Sequence, residues 1–185
     1  MKVLLLCGSI AQKSHTNALL HYIEDLFIIE ETDVLFWDLK TKPLPIAQPE
    51  YHRDPTQNPD KIVKEFVAEV ESSPLIVLGS PLYHGSYSGV LKNALDNLRW
   101  NAFEGKWVGL VGNAGSMRAN HAEFSHLRQV VNTLVGYTAQ TQVGTCTKDY
   151  EETPEKYILI NDDIKDRCHR LVEELVTLIR PINRS

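Results

Sequence analysis

Apolar positions along the chain fall into two alternating rhythms. Residues 3–7, 34–37, 75–78 and 107–112 are short, nearly continuous apolar runs. Their length suits strands, and their lack of alternation suits strands buried on both faces, as in a parallel sheet. The intervening stretches carry apolar residues at helical spacing. Leu19, Leu20, Ile23, Leu26 and Phe27 form one such stripe, with Asn17 as the expected cap. Residues 60–71 form a second with Ile62, Val63, Phe66, Val67 and Val70 inward, and Val90, Leu91, Ala94, Leu95 and Leu98 form a third. Leu127, Val130, Val131, Leu134 and Val135 make the fourth. The last runs over about 162–179, buries Ile164, Cys168, Leu171, Val172, Leu175 and Ile179, and is closed by Pro181.

Residues 137–143 behave differently. They alternate, with Thr138, Gln140 and Gln142 on one side, as an edge strand does. Residues 41–59 hold five prolines and read as a long functional loop, and residues 145–154 read as polar loop. The strand–helix rhythm runs five times without a break, so the whole chain, 1–185, is expected to be one α/β domain. Helices would cover both faces of a five-stranded parallel sheet of order 2-1-3-4-5. In that order the loops after strands 1, 3 and 4 converge at the carboxyl edge, where open α/β sheets bind ligands.

Composition narrows the classes without choosing one. A chain with 43% hydrophobic and 23% charged residues is ordinary for a soluble globular protein. Asp and Glu outnumber Lys and Arg by 24 to 19, and no basic cluster with interleaved aromatics is present, which argues against a nucleic-acid surface. The longest apolar run is too short for a membrane span or a signal-peptide core, so the expected compartment is the cytoplasm. Cys7, Cys146 and Cys168 are widely spaced and make no CxxC, as befits free thiols in a reducing compartment.

The three converging loops are small and polar. The first, 8–17, offers Ser9, Ser14, Thr16 and Asn17 just before a helix N-terminus, where unpaired amides can hold a phosphate. The same residues also suit a capping loop with no ligand. Neither GxGxxG nor GxxxxGK[ST] is present. Hydroxyl-dominated phosphate binding favours a mononucleotide whose phosphate is a handle, FMN before a phosphoryl-transfer substrate. The second loop places Pro81, Leu82, Tyr83, His84 and Gly85 where a flat ring could lie, with backbone amides available to its polar edge. His84 could act as an acid near neutrality, but a flavin exchanges hydride without one, so it is read as framing the site. GSYSG at 85–89 is not the GxSxG elbow, and His121 and His126 are spaced poorly for one helix face, so no nucleophile or metal site is expected.

Residues 80–96, SPLYHGSYSGVLKNALD, carry a family resemblance. They are similar to the segment P-x-Y-x-G-S-Y-x-G-x-L-K-N-A-x-D of the NADPH-dependent FMN reductases, a flavodoxin-like family of flavin, quinone, azo-dye and chromate reductases. The resemblance spans about residues 1–143. It implies a flavodoxin-like three-layer sandwich and hydride transfer from NADPH or NADH through FMN to a small-molecule acceptor. It also implies a homodimer or homotetramer with the ring site near a subunit boundary. On this pattern Ser9, Ser14, Thr16 and Asn17 hold the phosphate, 81–85 line the isoalloxazine, and Asn113, Gly115 and Ser116 complete the ring site. The family's phosphate loop often reads GSxR, whereas Ala11 stands at the Arg position here. Lys13 or His15 are candidates to compensate, and Arg118 is a candidate for the phosphate of NADPH. The alternative class is a flavodoxin-like electron carrier without reductase activity of its own.

Overall fold

The structure is a computed structural model that describes residues 1–179. Five parallel strands, β1 (Lys2–Cys7), β2 (Asp33–Asp38), β3 (Leu75–Pro81), β4 (Trp107–Asn113) and β5 (Tyr137–Thr145), form one sheet. Their spatial order is β2-β1-β3-β4-β5, as the rhythm predicted. The helices are α1 (His15–Ile29), α2 (Lys61–Ser72), α3 (Gly89–Asp96), α4 (His121–Thr133) and α5 (Asp162–Ile179).

Because successive side chains of a strand point to opposite faces, each continuous apolar run feeds two cores. Leu4 and Leu6 of β1 join Phe66, Leu91 and Leu127 from α2, α3 and α4. Val3, Leu5 and Cys7 join Ile23, Phe27, Leu171 and Leu175 from α1 and α5. The sandwich therefore has three layers, and both apolar layers are complete only when the sheet is formed.

Four local expectations are corrected. Ser14, not Asn17, caps α1, its Oγ accepting from the Asn17 amide at 3.1 Å. The helix starts earlier than its apolar stripe because its first turn is polar. Within α5, Ile179 is only partly buried and Val176 takes the inward place. Val135 lies past α4, exposed and with φ 65°. Residues 145–154 are not plain loop: a 3₁₀ turn at Thr147–Asp149 leads into an antiparallel hairpin of β6 (Tyr150–Glu152) and β7 (Tyr157–Leu159). Pro181 lies outside the described residues.

The edge strand β5 is guarded. Arg128 donates to the Ala139 carbonyl at 3.1 Å, Arg167 donates to the Gln142 carbonyl, and Glu174 accepts from the Gln140 and Thr141 amides at 2.6 and 2.9 Å. These side chains occupy groups that would otherwise template another strand. The β4–β5 register slips between Val108 and Leu110, a bulge that lets Gly112 meet Gly144 across the strands.

Candidate functional site

Three loop origins are tied together at the carboxyl edge of the sheet. The Gly8 amide donates to the Gly79 carbonyl at 2.7 Å, and Ser88 Oγ donates to the Gly8 carbonyl at 2.6 Å. The same Ser88 hydroxyl caps α3 through the Leu91 amide, while the Ser88 amide donates to Ser80 Oγ at 2.9 Å. Gly8 is needed for this approach: a Cβ there would stand 2.9 Å from both the Gly79 oxygen and Leu91 Cβ. The Leu82 amide donates to the Asn113 carbonyl at 2.9 Å and binds the β3 loop to the end of β4.

Between these loops lies an open cleft of about 200 Å³. Ser9, Ser14 and Thr16 line it from the first loop, Pro81, Leu82 and Tyr83 from the second, and Asn113 and Gly115 from the third. Ala11, Lys13 and His15 line it too. Four of the expected residues stand elsewhere. Asn17 faces the adjoining groove between α1 and the β6–β7 hairpin. His84 and Gly85 are exposed at the tip of a turn beyond the cleft, and Ser116 is exposed beside it.

That turn has a definite geometry. Tyr83 and Ser86 exchange backbone bonds of 2.8 and 3.0 Å, and the two residues between them have φ of 49° and 80°. Positive φ at both central positions makes a type I′ turn, which Gly85 adopts freely and His84 adopts under strain. His84 is thereby held outward by the backbone. On the third loop, Gly115 takes φ 72°, Asn113 Oδ1 accepts from the Gly115 amide at 3.2 Å, and Asn113 Nδ2 donates to Thr145 Oγ1 at 3.1 Å.

The charged neighbours are largely committed. Lys13 pairs with Glu152 and donates to the Thr153 carbonyl at 3.2 Å. His15 stacks on Tyr157 with centroids 3.7 Å apart, its Nε2 buried without a partner, and burial pulls its pKa down. Arg118, a candidate for a cofactor phosphate, is instead joined through two nitrogens to Asp149. Asp149 is fully buried and also accepts from the Cys146 amide and Asn161 Nδ2 at 2.8 and 2.9 Å. Burial by itself would raise its carboxyl, but the Arg118 guanidinium and the Cys146 amide outweigh it and hold the group below the usual carboxylate range.

Asn93 of α3 and Asn97, which caps its C-terminus, contribute contacts that sequence reasoning did not assign. Asn93 Nδ2 donates to the Pro45 carbonyl at 2.9 Å, Asn93 Oδ1 accepts from the Ala47 amide at 2.9 Å, and Asn97 Nδ2 donates to Pro45 at 3.2 Å. The proline-rich loop is thus strapped to the helix that follows the ring loop. Its sequence signal was a pair of amides one turn apart, beside the charged Lys92 and Asp96 of the same helix.

The site's chemistry fits a flavin mononucleotide. The donor set is neutral hydroxyls and helix-terminal amides, suited to a phosphate bound without a full counter-charge. The Gly8 approach brings that set against the loop that would bear the ring.

The family model for NADPH-dependent FMN reductase matches residues 1–149. The chain belongs to this family. The FMN-dependent NADPH-azoreductase of Staphylococcus haemolyticus (strain JCSC1435) is 37% identical over 183 residues, covering 97% of this chain and 95% of the relative. The protein of the same description from Staphylococcus aureus (strain USA300) is 34% identical with the same coverage. Among solved structures, the apo form of an NADH:FMN oxidoreductase superposes with a TM-score of 0.78 at 18% identity, covering 98% of this chain and 91% of the other. An oxidoreductase from Corynebacterium diphtheriae superposes at 0.74 with 19% identity and 96% coverage of both. At these identities the structural likeness establishes the flavodoxin-like fold of this FMN reductase family member.

Proposed function

We propose that the chain is an FMN-dependent NADPH oxidoreductase acting on a small-molecule acceptor, with azo compounds the first class to assay. The observation that carries this reading is the single cleft in which a hydroxyl-rich helix N-terminus and the Pro81–Tyr83 segment face each other. Bound there, FMN supplies a two-electron relay between NADPH and the acceptor. Ser9, Ser14 and Thr16 hold its phosphate with the first amides of α1. Pro81, Leu82 and Tyr83 carry the ring, and His84 and Gly85 shape the turn that ends this wall. Asn113 and Gly115 close the ring site from the third loop, with Ser116 beside it. Asn17 serves the phosphate indirectly, through the Ser14 cap its amide completes.

Residues 1–185 act as one FMN-binding domain in this reading. The chain works as a homodimer or homotetramer in the cytoplasm, which three free cysteines suit. Among the described residues no helix is long and apolar enough to cross a membrane.

The test is spectroscopic. Purified protein titrated with FMN should perturb the flavin spectrum, and anaerobic NADPH should then bleach it. Absence of both overturns the proposal. Flavin binding with reduction only by a partner protein would instead mark an electron carrier.

A further inference from the structure

Beneath the cleft lies a buried acid that the flavin site does not use. Glu123, in the first turn of α4, is fully buried. Its Oε2 accepts from Asn120 Nδ2 at 2.8 Å, while Glu123 Oε1 and Asn120 Oδ1 have no hydrogen-bond partner among the described residues. The space is built for this pair. Gly112 and Gly144 face each other across β4 and β5. A Cβ on Gly112 would stand 2.7 Å from Glu123 Oε2, and one on Gly144 would stand 2.8 Å from Asn120 Oδ1. Ser80, at the end of β3, is the other side chain that acts on the carboxyl.

An ionised carboxylate here would leave a buried anionic oxygen without a donor, at high cost. A neutral acid carries its own donor on that oxygen. Ser80 Oγ suits it as acceptor: its hydrogen already goes to the Pro81 carbonyl at 2.9 Å, and it receives the Ser88 amide at 2.9 Å. One lone pair remains. Ser88 in turn holds the Gly8 carbonyl.

We propose that Glu123 is kept as the neutral acid and is a positioning residue for the FMN site, its Oε1 hydrogen bridging to Ser80 Oγ. Asn120, Glu123, Ser80, Ser88 and Gly8 then form one chain that links the starts of the first two loops to the α4 end of the third. Ionised Glu123 would compete for the Ser80 hydrogen, release the Pro81 carbonyl and loosen the wall that carries the ring.

Burial pushes the carboxyl up to about 8, against the smaller opposing effects of Asn120 and Ser80. Among the described residues the charged groups nearby do not pair with it. Arg118 is bound to Asp149, and Asp163, Arg167 and Arg170 of α5 line a separate groove beyond Asn120, with His121 of α4 itself. With the pKa raised, the positioned state is complete at low pH and is lost as pH rises through about 8.

The inference rests on the flavin-site reading, and one comparison separates the two. FMN affinity is measured by fluorescence titration from pH 6 to pH 10 for the wild type and Glu123→Gln. The infrared spectrum of each is recorded for a carboxylic-acid carbonyl band. The amide of E123Q accepts from Asn120 and donates to Ser80 at any pH. The wild type should therefore lose affinity above about pH 8, by up to roughly tenfold per pH unit, while E123Q does not. The acid band should be present in the wild type at pH 7 and absent in E123Q. Matching pH profiles, or no acid band in the wild type, overturn the positioning role alone. Failure of both proteins to bind FMN at any pH overturns the flavin site and this role together.

Discussion

At the residue scale, the two roles proposed for Ser14 can be separated. Its Oγ accepts from the Asn17 amide as the α1 cap, and in the proposed site its hydrogen goes to a phosphate oxygen. Ser14→Ala should weaken FMN binding by about 1 kcal/mol or more and lower stability by about 0.5–2 kcal/mol. Ser14→Asn keeps a capping side chain, so chemical denaturation should return to near wild type. FMN titration of the two variants then isolates the phosphate contact, and equal affinity in Ser14→Ala and wild type would remove it. Gly8 shows a different kind of necessity. Gly8→Ala forces a methyl against the Gly79 carbonyl and Leu91, so it should destabilise by about 1–3 kcal/mol in a thermal melt and weaken FMN binding. Cys7 is the inert case: burial pushes its thiol up to about 11, with Asp38 adding to the rise, and a buried neutral thiol serves packing alone.

At the element scale, two small units border the cleft and the groove that adjoins it. The Tyr83–Ser86 turn asks a left-handed backbone of His84. Asn accepts that conformation more readily, so His84→Asn should stabilise the fold by a few tenths of a kcal/mol up to about 1 kcal/mol. If His84 only frames the site, NADPH oxidation should be unchanged; a large fall in kcat would give the imidazole a chemical role. The second unit is the β6–β7 hairpin, moored through Asp149. Asp149→Ala strips the partner from Arg118, Asn161 and the Cys146 amide and should cost about 3 kcal/mol by urea denaturation. Because its native carboxyl is held below the ordinary value near 4, the stabilisation is present above that value and lost as pH falls through the lowered one. Wild-type stability should drop toward pH 3 more steeply than that of Asp149→Asn.

At the scale of the whole molecule, Trp100 is 69% exposed and so lies outside the core, whereas Phe103 beside it is buried and Trp107 packs on Tyr137 at 5.1 Å. An exposed indole of this size suits a subunit contact. Light scattering should report a dimer or tetramer, and Trp100→Ala should shift it toward monomer without lowering the melting temperature of the monomer. A monomeric wild type would overturn the assembly.

The order of the sheet, the helices of the described residues and the convergence of three loops on one cleft were legible because each rests on local regularities. Unbroken runs such as 3–7 specify doubly buried strands, and stripes such as Leu19 to Phe27 specify one helix face. The hydroxyl-rich first loop was legible as composition, since Ser9, Ser14 and Thr16 stand where a strand gives way to a helix, and the three residues line one cleft. What the local pattern could not hold was decided by distant partners. The hairpin at 150–159 is two three-residue strands with no core of their own, and it is held because Tyr150 and Leu159 enter the core shared with α1 and α5 and Asp149 meets Arg118 and Asn161. No local pattern marks Glu123, and its buried place is made where Gly112 meets Gly144 across β4 and β5. Lys13 and Arg118 read as candidate phosphate partners, and the fold pairs both with carboxylates far along the chain. Periodicity acts over neighbouring residues and so is written in the chain; burial, register and charge pairing join residues dozens apart and exist only once the sheet has closed its order.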